Sequence, residues 1–264
     1  EVLEHRASGG MGTVYRAMDH AAKRVVALKV LRAEFAAHEE YVRMFEDEVY
    51  SLGRLNHPNI VPVYYFGREG EWLFFAMPLI VGKDCLRILI DSGPCEPRRV
   101  KIWALQAVSA LGAAWRRGIM HRDIKPANIL IEENSGNALL MDFGLALICG
   151  VEPARIAEDW GSPGYLAPEQ VHKERLDFRT DMYSLGASLF HIMAGETPFA
   201  SEDWRDEIQG HLEKPFPFHR AQLRGVPQGW ATILARMMEK RPEDRYPSYE
   251  ALEAALAEFL GEGA

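Results

Sequence analysis

Cysteine is scarce in this chain. Only Cys85, Cys95 and Cys149 occur among 264 residues, and they lack the close spacing of a metal site. So few cysteines, in an odd number, exclude a small scaffold held by disulfides and are typical of a reduced environment. We therefore expect a cytoplasmic protein, or the cytosolic part of a larger or membrane-anchored protein.

Long apolar runs and basic clusters are absent as well. No stretch approaches the roughly 20 apolar residues of a membrane-spanning helix, and no signal peptide is recognisable. The formal net charge is −8, and lysine and arginine are scattered. This composition predicts neither nucleic-acid binding nor membrane contact by this segment. Hydrophobic residues make up 48% of the chain, which is enough for a folded core.

The apolar pattern divides the chain into a strand-rich and a helix-rich part. In the first part we predict one helix at 39–55 and strands at 24–31, 59–67 and 71–77. In the second part we predict short strands at 128–131 and 138–143 and helices at 100–118, 181–195, 230–240 and 248–260. The composition changes near residues 77–84, so we place a boundary between two lobes there.

Two features of the first part could bind phosphates. Residues 7–17 read ASGGMGTVYRA, and Gly9, Gly10 and Gly12 would let a backbone fold closely over phosphate groups. Glycine-rich turns of this kind also occur as ordinary hairpins. Lys29 lies inside an apolar strand, where a charge is costly unless it is paired, and Glu48 on the following helix is the candidate partner. The alternative is a lysine that extends to solvent from a strand edge.

Two stretches of the second part combine polar side chains with apolar strands. Residues 118–131 read GIMHRDIKPANILI, with many polar residues between two apolar runs. Residues 141–146 read MDFGLA, with an acid at the end of a strand. Surface coverage alone does not require such crowding, so we expect these residues to carry chemistry.

Together with LNHPNIV (55–61) and GSPGYLAPEQ (161–170), these stretches resemble the protein-kinase signature set. The nearest resemblance is to bacterial eukaryotic-like (Hanks-type) Ser/Thr protein kinases, and it covers essentially the whole chain. It implies an α+β bilobal fold, with a small, mainly antiparallel β lobe at 1–80 containing one helix and a larger, mainly α-helical lobe at 81–264. It implies phosphorylation of Ser or Thr in proteins, with ATP and Mg²⁺ (or Mn²⁺) as cofactors.

Two other functions stay open. The first is a catalytically weak pseudokinase that acts as an ATP-binding scaffold, and Ala7 favours it slightly because it replaces the usual first glycine of the loop. Ala7 also predicts weaker ATP binding. The second is a small-molecule phosphotransferase of related fold, which usually lacks anything like the segment 161–170 that seats a polypeptide.

The resemblance also implies catalytic roles. Asp123 would orient the acceptor hydroxyl and take its proton, and Lys125 would steady the transferring phosphoryl group. Asn128 and Asp142 would bind Mg²⁺ through oxygen ligands. His121 is predicted to pack against its neighbours rather than to act as a base.

For the nucleotide, the resemblance implies that Lys29, held by Glu48, contacts the α- and β-phosphates. Met77 would be the gatekeeper, and Asp84 either binds the ribose or is a solvated acid. The predicted adenine site consists of Val14 and Ala27 above, Leu130 below, and the backbone of Pro78 and Ile80 at the edge.

Further predictions concern the region of the acceptor protein. Glu169 would pair with Arg245, and Asp181 would hold the backbone of residues 121–122. Ser162 either bonds Asp123 and Lys125 or is only a turn residue. Ala127 replaces an acid common in arginine-directed relatives, which argues against a strict basic preference. A homodimer that activates the enzyme is a further expectation.

Residues 145–161 contain no Ser, Thr or Tyr. Kinases with an arginine before the catalytic aspartate commonly need a phosphate on this segment. We therefore expect Glu158 or Asp159 to supply a permanent negative charge for Arg122, unless both acids are simply solvated.

Overall fold

The computed structural model describes residues 1–8, 12–143, 147–148 (backbone only) and 162–258. Its strands are β1 (Val2–Ser8), β2 (Gly12–Asp19), β3 (Arg24–Leu31), β4 (Tyr65–Glu69), β5 (Trp72–Pro78), β6 (Gly82–Asp84), β7 (Ile119–Met120), β8 (Ile129–Glu132), β9 (Ala138–Leu140) and β10 (Leu147–Ile148). Its α-helices are α1 (Ala33–Ala36), α2 (Glu39–Gly53), α3 (Cys85–Ser92), α4 (Pro97–Trp115), α5 (Pro168–Val171), α6 (Phe178–Ala194), α7 (Trp204–Glu213), α8 (Phe218–Leu223), α9 (Gln228–Met237) and α10 (Tyr249–Glu258).

The small lobe is an antiparallel sheet covered by a helix. The sheet has the strand order β1-β2-β3-β5-β4. Helix α2 buries Phe45 and Leu52, and the Phe45 ring lies 5.3 Å from the Phe75 ring of β5. This apolar face explains why a helix with six charged residues among its 15 is stable here. The predicted α+β fold with a strand-rich and a helix-rich lobe is confirmed, and the small lobe has one additional single-turn helix, α1.

The predicted strand at 59–67 is wrong over its first six residues. The ladder of the small-lobe sheet begins only at Tyr65. Upstream, Ile60 forms an isolated parallel bridge with Leu140 of β9, and Val61 N donates to the Leu140 carbonyl at 3.0 Å. This part of the chain therefore pairs with the large lobe instead of the small-lobe sheet.

A second small sheet, with the order β6-β8-β9, lies where the lobes meet. Gly82 begins β6 opposite Glu132. A Cβ built on Gly82 would lie 2.0 Å from the Ile131 carbonyl oxygen, so the two backbones approach more closely than any side chain allows. Residues 79–81 separate β5 from β6, and the predicted lobe boundary falls among them.

Helix α6 is the centre of the large lobe. Fourteen of its 17 residues are buried, which fits a helix with apolar and small residues on nearly all of its faces. Gly195 ends it in the left-handed conformation, with φ of 80°, which glycine adopts without strain. Helices α4 and α9 pack on α6. None of the helices in the described ranges is both long and apolar enough to cross a membrane.

Candidate active site

Lys29 connects the two lobes at the cleft. Its Nζ donates to both carboxylate oxygens of Glu48, at 2.7 and 3.0 Å. The same nitrogen donates to Asp142 Oδ1 at 2.7 Å. Glu48 is buried at 1% exposure, whereas the Asp142 side chain is 39% exposed. The predicted Lys29–Glu48 pair is therefore formed, and Asp142 of the large lobe completes it.

The three charges determine one another's ionisation. Burial alone would lower the pKa of Lys29, but the carboxylates of Asp142 and Glu48 outweigh burial and raise it. Burial would raise the pKa of Asp142, but the Lys29 ammonium outweighs burial and lowers it. For Glu48, burial prevails over Lys29 and raises the pKa. Lys29 and Asp142 are thus charged at neutral pH.

Gly12 makes room for the Lys29 side chain. A Cβ on Gly12 would lie 3.1 Å from Lys29 Cε and 3.2 Å from its Cγ, so any other residue would press on the lysine. Ala7 pairs with Val14 across β1 and β2, directly after a shift in the strand register between His5 and Ala7. Gly9 and Gly10 lie outside the described residues, and their contact with phosphates stays a prediction.

Asp123, Lys125 and Asn128 form the second half of the site. Lys125 Nζ lies 2.8 Å from Asp123 Oδ2, and Asn128 Nδ2 donates to the same oxygen at 3.1 Å. Asn128 Nδ2 also donates to the Asp123 backbone carbonyl at 2.8 Å. A short 3-10 turn at Pro126–Asn128 brings these side chains together. The arrangement fixes one carboxylate between an ammonium group and an amide.

The backbone is held in an unusual conformation at two points of the site. Arg122 and Asp142 have φ values of 67° and 57°, in the left-handed region that is costly for a side chain as large as arginine. Asp181 of α6 accepts the N–H groups of His121 and Arg122 at 2.8 and 2.7 Å. Gln170 Nε2 donates to the Arg122 carbonyl at 3.0 Å. These bonds offset the strain and confirm the predicted position of Asp181.

His121 has a structural position. It is completely buried, and its ring lies 4.4 Å from the Phe143 ring. Its Nδ1 is 3.3 Å from the Asp123 backbone nitrogen and its Nε2 is 3.0 Å from the Met141 carbonyl. With both ring nitrogens occupied by backbone groups, His121 has the packing environment that the sequence predicted.

Asn128 and Asp142 are suitable ligands for Mg²⁺. The Asn128 amide uses its nitrogen for Asp123, which leaves its oxygen available. Asp142 uses only Oδ1 for Lys29, so Oδ2 is available as well. No group of three or more candidate metal ligands occurs among the described residues. Two oxygen ligands fit Mg²⁺, which usually takes one or two protein oxygens and completes its shell with phosphate and water.

The predicted adenine-site residues lie along the strands that border the cleft. Val14 pairs with Lys29 across β2 and β3, and Ala27 pairs with Met77 across β3 and β5. Pro78 ends β5 and Ile80 follows before β6, so both stand at the junction of the lobes. Their contact with adenine stays a prediction.

Asp84 and Leu130 pair across β6 and β8, on the large-lobe side of the junction. Asp84 has a role that neither sequence interpretation included. Its Oδ1 accepts the Arg87 N–H at 2.8 Å, so it caps the N-terminus of α3. Its second oxygen is not used by this cap, and ribose binding stays a prediction.

Residues 162–170, which we call the substrate loop, are anchored to the large lobe by a buried ion pair. Arg245 Nη1 and Nη2 donate to the two oxygens of Glu169 at 2.6 and 2.8 Å. Thr180 Oγ1 also donates to Glu169 at 2.9 Å. Both charged side chains are buried. The predicted Glu169–Arg245 pair is therefore formed.

The start of the substrate loop is a 3-10 turn at Pro163–Tyr165. The Ser162 carbonyl accepts the Tyr165 N–H at 3.0 Å, and within the described part of the chain the Ser162 side chain bonds neither Asp123 nor Lys125. Tyr165 OH lies 2.6 Å from His191 Nδ1. The contacts of Gln170 and His191 could not be predicted from the sequence, because no local pattern reveals which side chains tertiary packing brings to a loop.

His211 of α7 predicts a pH dependence of stability. It is completely buried, with Nδ1 2.9 Å from Tyr183 OH, and burial together with the Lys240 charge lowers its pKa to about 3. Between pH 6.5 and about pH 3, His211 therefore binds a proton in the unfolded chain but not in the folded chain. The His211 contribution to the free energy of unfolding should fall by about 2 kcal/mol from pH 7 to pH 5.

The measurement is urea unfolding of the wild type and of His211→Asn between pH 5 and pH 8. The variant is less stable at pH 8, and its deficit should shrink as the pH falls, because it lacks the titrating imidazole. A deficit that stays constant over this range would contradict the assignment.

Glu158 and Asp159 lie outside the described residues. The hypothesis that one of them supplies a permanent charge near Arg122 therefore stays a prediction.

Residues 2–256 match the protein kinase domain family. The chain is 37% identical over 260 residues to the serine/threonine-protein kinase PknL of Mycobacterium bovis, covering 96% of this chain and 64% of that protein. It is 34% identical over 255 residues to PknH of Mycobacterium tuberculosis, covering 96% and 41%. It is 34% identical over 257 residues to PrkC of Bacillus subtilis, covering 97% and 40%.

The chain thus spans less than two thirds of the length of these relatives. The match runs through both lobes and includes every charged group described above. The predicted resemblance is confirmed: the chain belongs to the protein kinase domain family.

Proposed function

We propose that this chain transfers the γ-phosphoryl group of ATP to serine or threonine hydroxyls of proteins. The observation that carries this proposal is the 2.7 Å contact between Lys29 Nζ and Asp142 Oδ1, which joins residues 113 positions apart. It gathers a phosphate-binding cation and a metal-binding carboxylate at one cleft. The relatives named as serine/threonine-protein kinases support the choice of acceptor.

In this mechanism ATP with Mg²⁺ supplies the phosphoryl group and compensates its charge. Lys29, held by Glu48, binds phosphate oxygens, and Asn128 and Asp142 offer the metal their oxygens. Both Mg²⁺ and Mn²⁺ can bind these two oxygen ligands, and we propose Mg²⁺ as the cofactor.

In this proposal Asp123 acts on the acceptor hydroxyl. Its carboxylate orients the hydroxyl and accepts its proton as the hydroxyl oxygen bonds to the γ-phosphorus. The bond from the γ-phosphorus to the β–γ bridging oxygen breaks in the same step, and ADP leaves. The neighbouring Lys125 stabilises the negative charge that is spread over the phosphoryl oxygens in the transition state. Asn128 keeps the Asp123 side chain in one orientation through its amide hydrogens. The cytoplasmic location and the activating homodimer stay predictions.

The direct test incubates the protein with labelled Mg-ATP and a general protein acceptor and maps the phosphorylated residues. We expect phosphoserine and phosphothreonine. Lys29→Met should lower the rate by about 100-fold or more, because the phosphates lose the positively charged ammonium group that binds them. The matched control is Lys214→Met, an exposed lysine of the large lobe, which should behave as the wild type.

Several outcomes would contradict this function. Nucleotide binding without transfer in the wild type would indicate a pseudokinase. Labelling of small molecules but not of proteins would indicate the other phosphotransferase class. Equal rates for the Lys29 and Lys214 variants would remove Lys29 from the mechanism.

A further inference from the structure

Glu207 is an acid beside the substrate loop that the mechanism does not use. It lies in the first turn of α7, and this helix packs on the Pro163–Tyr165 turn of the loop. Its side chain is partly exposed, whereas Glu169, which anchors the loop through Arg245, is buried. A protein acceptor that reaches the loop would therefore meet Glu207 at the surface.

The Glu207 carboxylate lies against the loop backbone. A Cβ built on Gly164 would be 3.0 Å from Glu207 Oε1 and 2.5 Å from Thr197 Cγ2. Only a glycine at this position lets the carboxylate approach the loop so closely. The negative charge of Glu207 also acts on Tyr165: burial raises the pKa of the Tyr165 hydroxyl, and Glu207 raises it further by a smaller amount.

The Glu207 side chain has a fixed position but no cation. Thr197 Oγ1 donates to Oε1, which orients the carboxylate and leaves Oε2 available. Within the described ranges, no lysine, arginine or histidine forms an ion pair with Glu207. By contrast, the nearby Glu196 is paired with Arg220 and Arg224. A partly exposed, oriented carboxylate with an unused oxygen can accept a hydrogen bond from a cationic donor.

We propose that Glu207 binds an arginine or lysine side chain of the protein acceptor, close in sequence to the phosphorylated hydroxyl. The inference rests on the proposed function, since it names the acceptors that the same site prefers. Ala127 argues against a strict basic preference at its own position. Glu207 lies at another place, beside the turn of the substrate loop, so the two predictions concern different parts of the acceptor.

A purely structural role for Glu207 makes a different prediction. Acids in the first turn of a helix stabilise it through the helix dipole, and Asp206 precedes Glu207 in the same turn. Asp206 is exposed, and among the described residues no hydrogen bond or ion pair joins its side chain to the substrate loop. Asp206→Asn removes the same charge from the same turn, so it is the matched control for Glu207→Gln.

The experiment uses a set of serine peptides in which one arginine is moved from three residues before to three residues after the acceptor. An all-alanine peptide is the reference. We measure kcat/KM for the wild type, Glu207→Gln and Asp206→Asn. At one position the wild type should prefer arginine over alanine by roughly 5- to 30-fold. Glu207→Gln should lose most of this preference, and Asp206→Asn should keep it.

Charge reversal provides an independent arm. Glu207→Arg should prefer a glutamate over an arginine at the same peptide position, which a general loss of stability cannot produce. Thr197→Val should weaken the arginine preference without abolishing it, because the carboxylate loses its orienting hydroxyl but keeps its charge.

The outcomes separate this inference from the proposed function. If the wild type phosphorylates the alanine peptide but shows no arginine preference, the enzyme is a kinase and the Glu207 proposal is wrong. The proposal also fails if Glu207→Gln and Asp206→Asn reduce the preference equally. If no peptide or protein is phosphorylated, the proposed function itself fails.

Discussion

Asp123→Asn is expected to lower kcat by about 1,000-fold while leaving the affinity for ATP nearly unchanged. The substitution keeps the shape of the side chain and its contact with Asn128, but it removes the proton acceptor. It also removes the charge that holds Lys125 Nζ at 2.8 Å. The loss should therefore appear in the chemical step, measured with saturating ATP and acceptor.

Nucleotide titration calorimetry and thermal unfolding of the same variant provide the controls. Both should match the wild type, because Asp123 lies in neither the nucleotide-binding set nor the core. A variant that retains more than about a tenth of the wild-type kcat would show that Asp123 is not the group that takes the proton. Loss of ATP affinity instead of kcat would place Asp123 in binding.

Arg245→Leu is expected to cost about 3–5 kcal/mol of unfolding free energy. The substitution leaves the Glu169 carboxylate buried without its cation. It also leaves the carbonyls of Arg179 and Glu239 without the donors that now lie 2.8 Å away. The measurement is urea unfolding at pH 7. Since Glu169 belongs to the substrate loop, phosphorylation of acceptors should fall together with stability.

A double-mutant cycle distinguishes the ion pair from simple packing. Glu169→Gln combined with Arg245→Leu should be more stable than the sum of the single effects predicts, because the second change removes the stranded charge. Arg241→Leu is the matched control, since that arginine is 72% exposed and its loss should not be measurable. Strictly additive effects of Glu169→Gln and Arg245→Leu would contradict a coupled pair.

The pairing of Lys29 with Glu48 could be predicted from sequence because both signals are local. A lysine in an apolar strand requires a partner, and the spacing of Phe45 and Leu52 places Glu48 on the buried face of α2. The resemblance to kinases then located Asp123, Asn128 and Asp142 without any geometric argument. The structure adds the distances that join Lys29, Glu48 and Asp142 in one cluster and Asp123 and Asn128 in another. The Met141 N–H, which donates to the Asn128 carbonyl at 3.1 Å, links the two stretches of chain.

Other features could not be predicted because they depend on partners distant in sequence. Asn59 to Val61 have the composition of a sheet strand, but hydrophobic pattern does not indicate which strand they pair with, and here it is β9. Strand β9 ends at Leu140, before Asp142 turns into the left-handed conformation. Glu207 has no motif at all and becomes visible only through the packing of α7 on the substrate loop.

The close approach of β6 to β8 at Gly82 has a consequence for motion. A contact between two backbones cannot adapt by changing side-chain rotamers, so this point ties the start of β6 firmly to the large lobe. The Val81 carbonyl is tied to the same lobe through the Glu133 N–H at 2.8 Å. Along this connection, a rotation of one lobe against the other would therefore change mainly the torsion angles of Leu79 and Ile80. The contacts of Ile60 and Val61 with Leu140 are a second tie between the lobes.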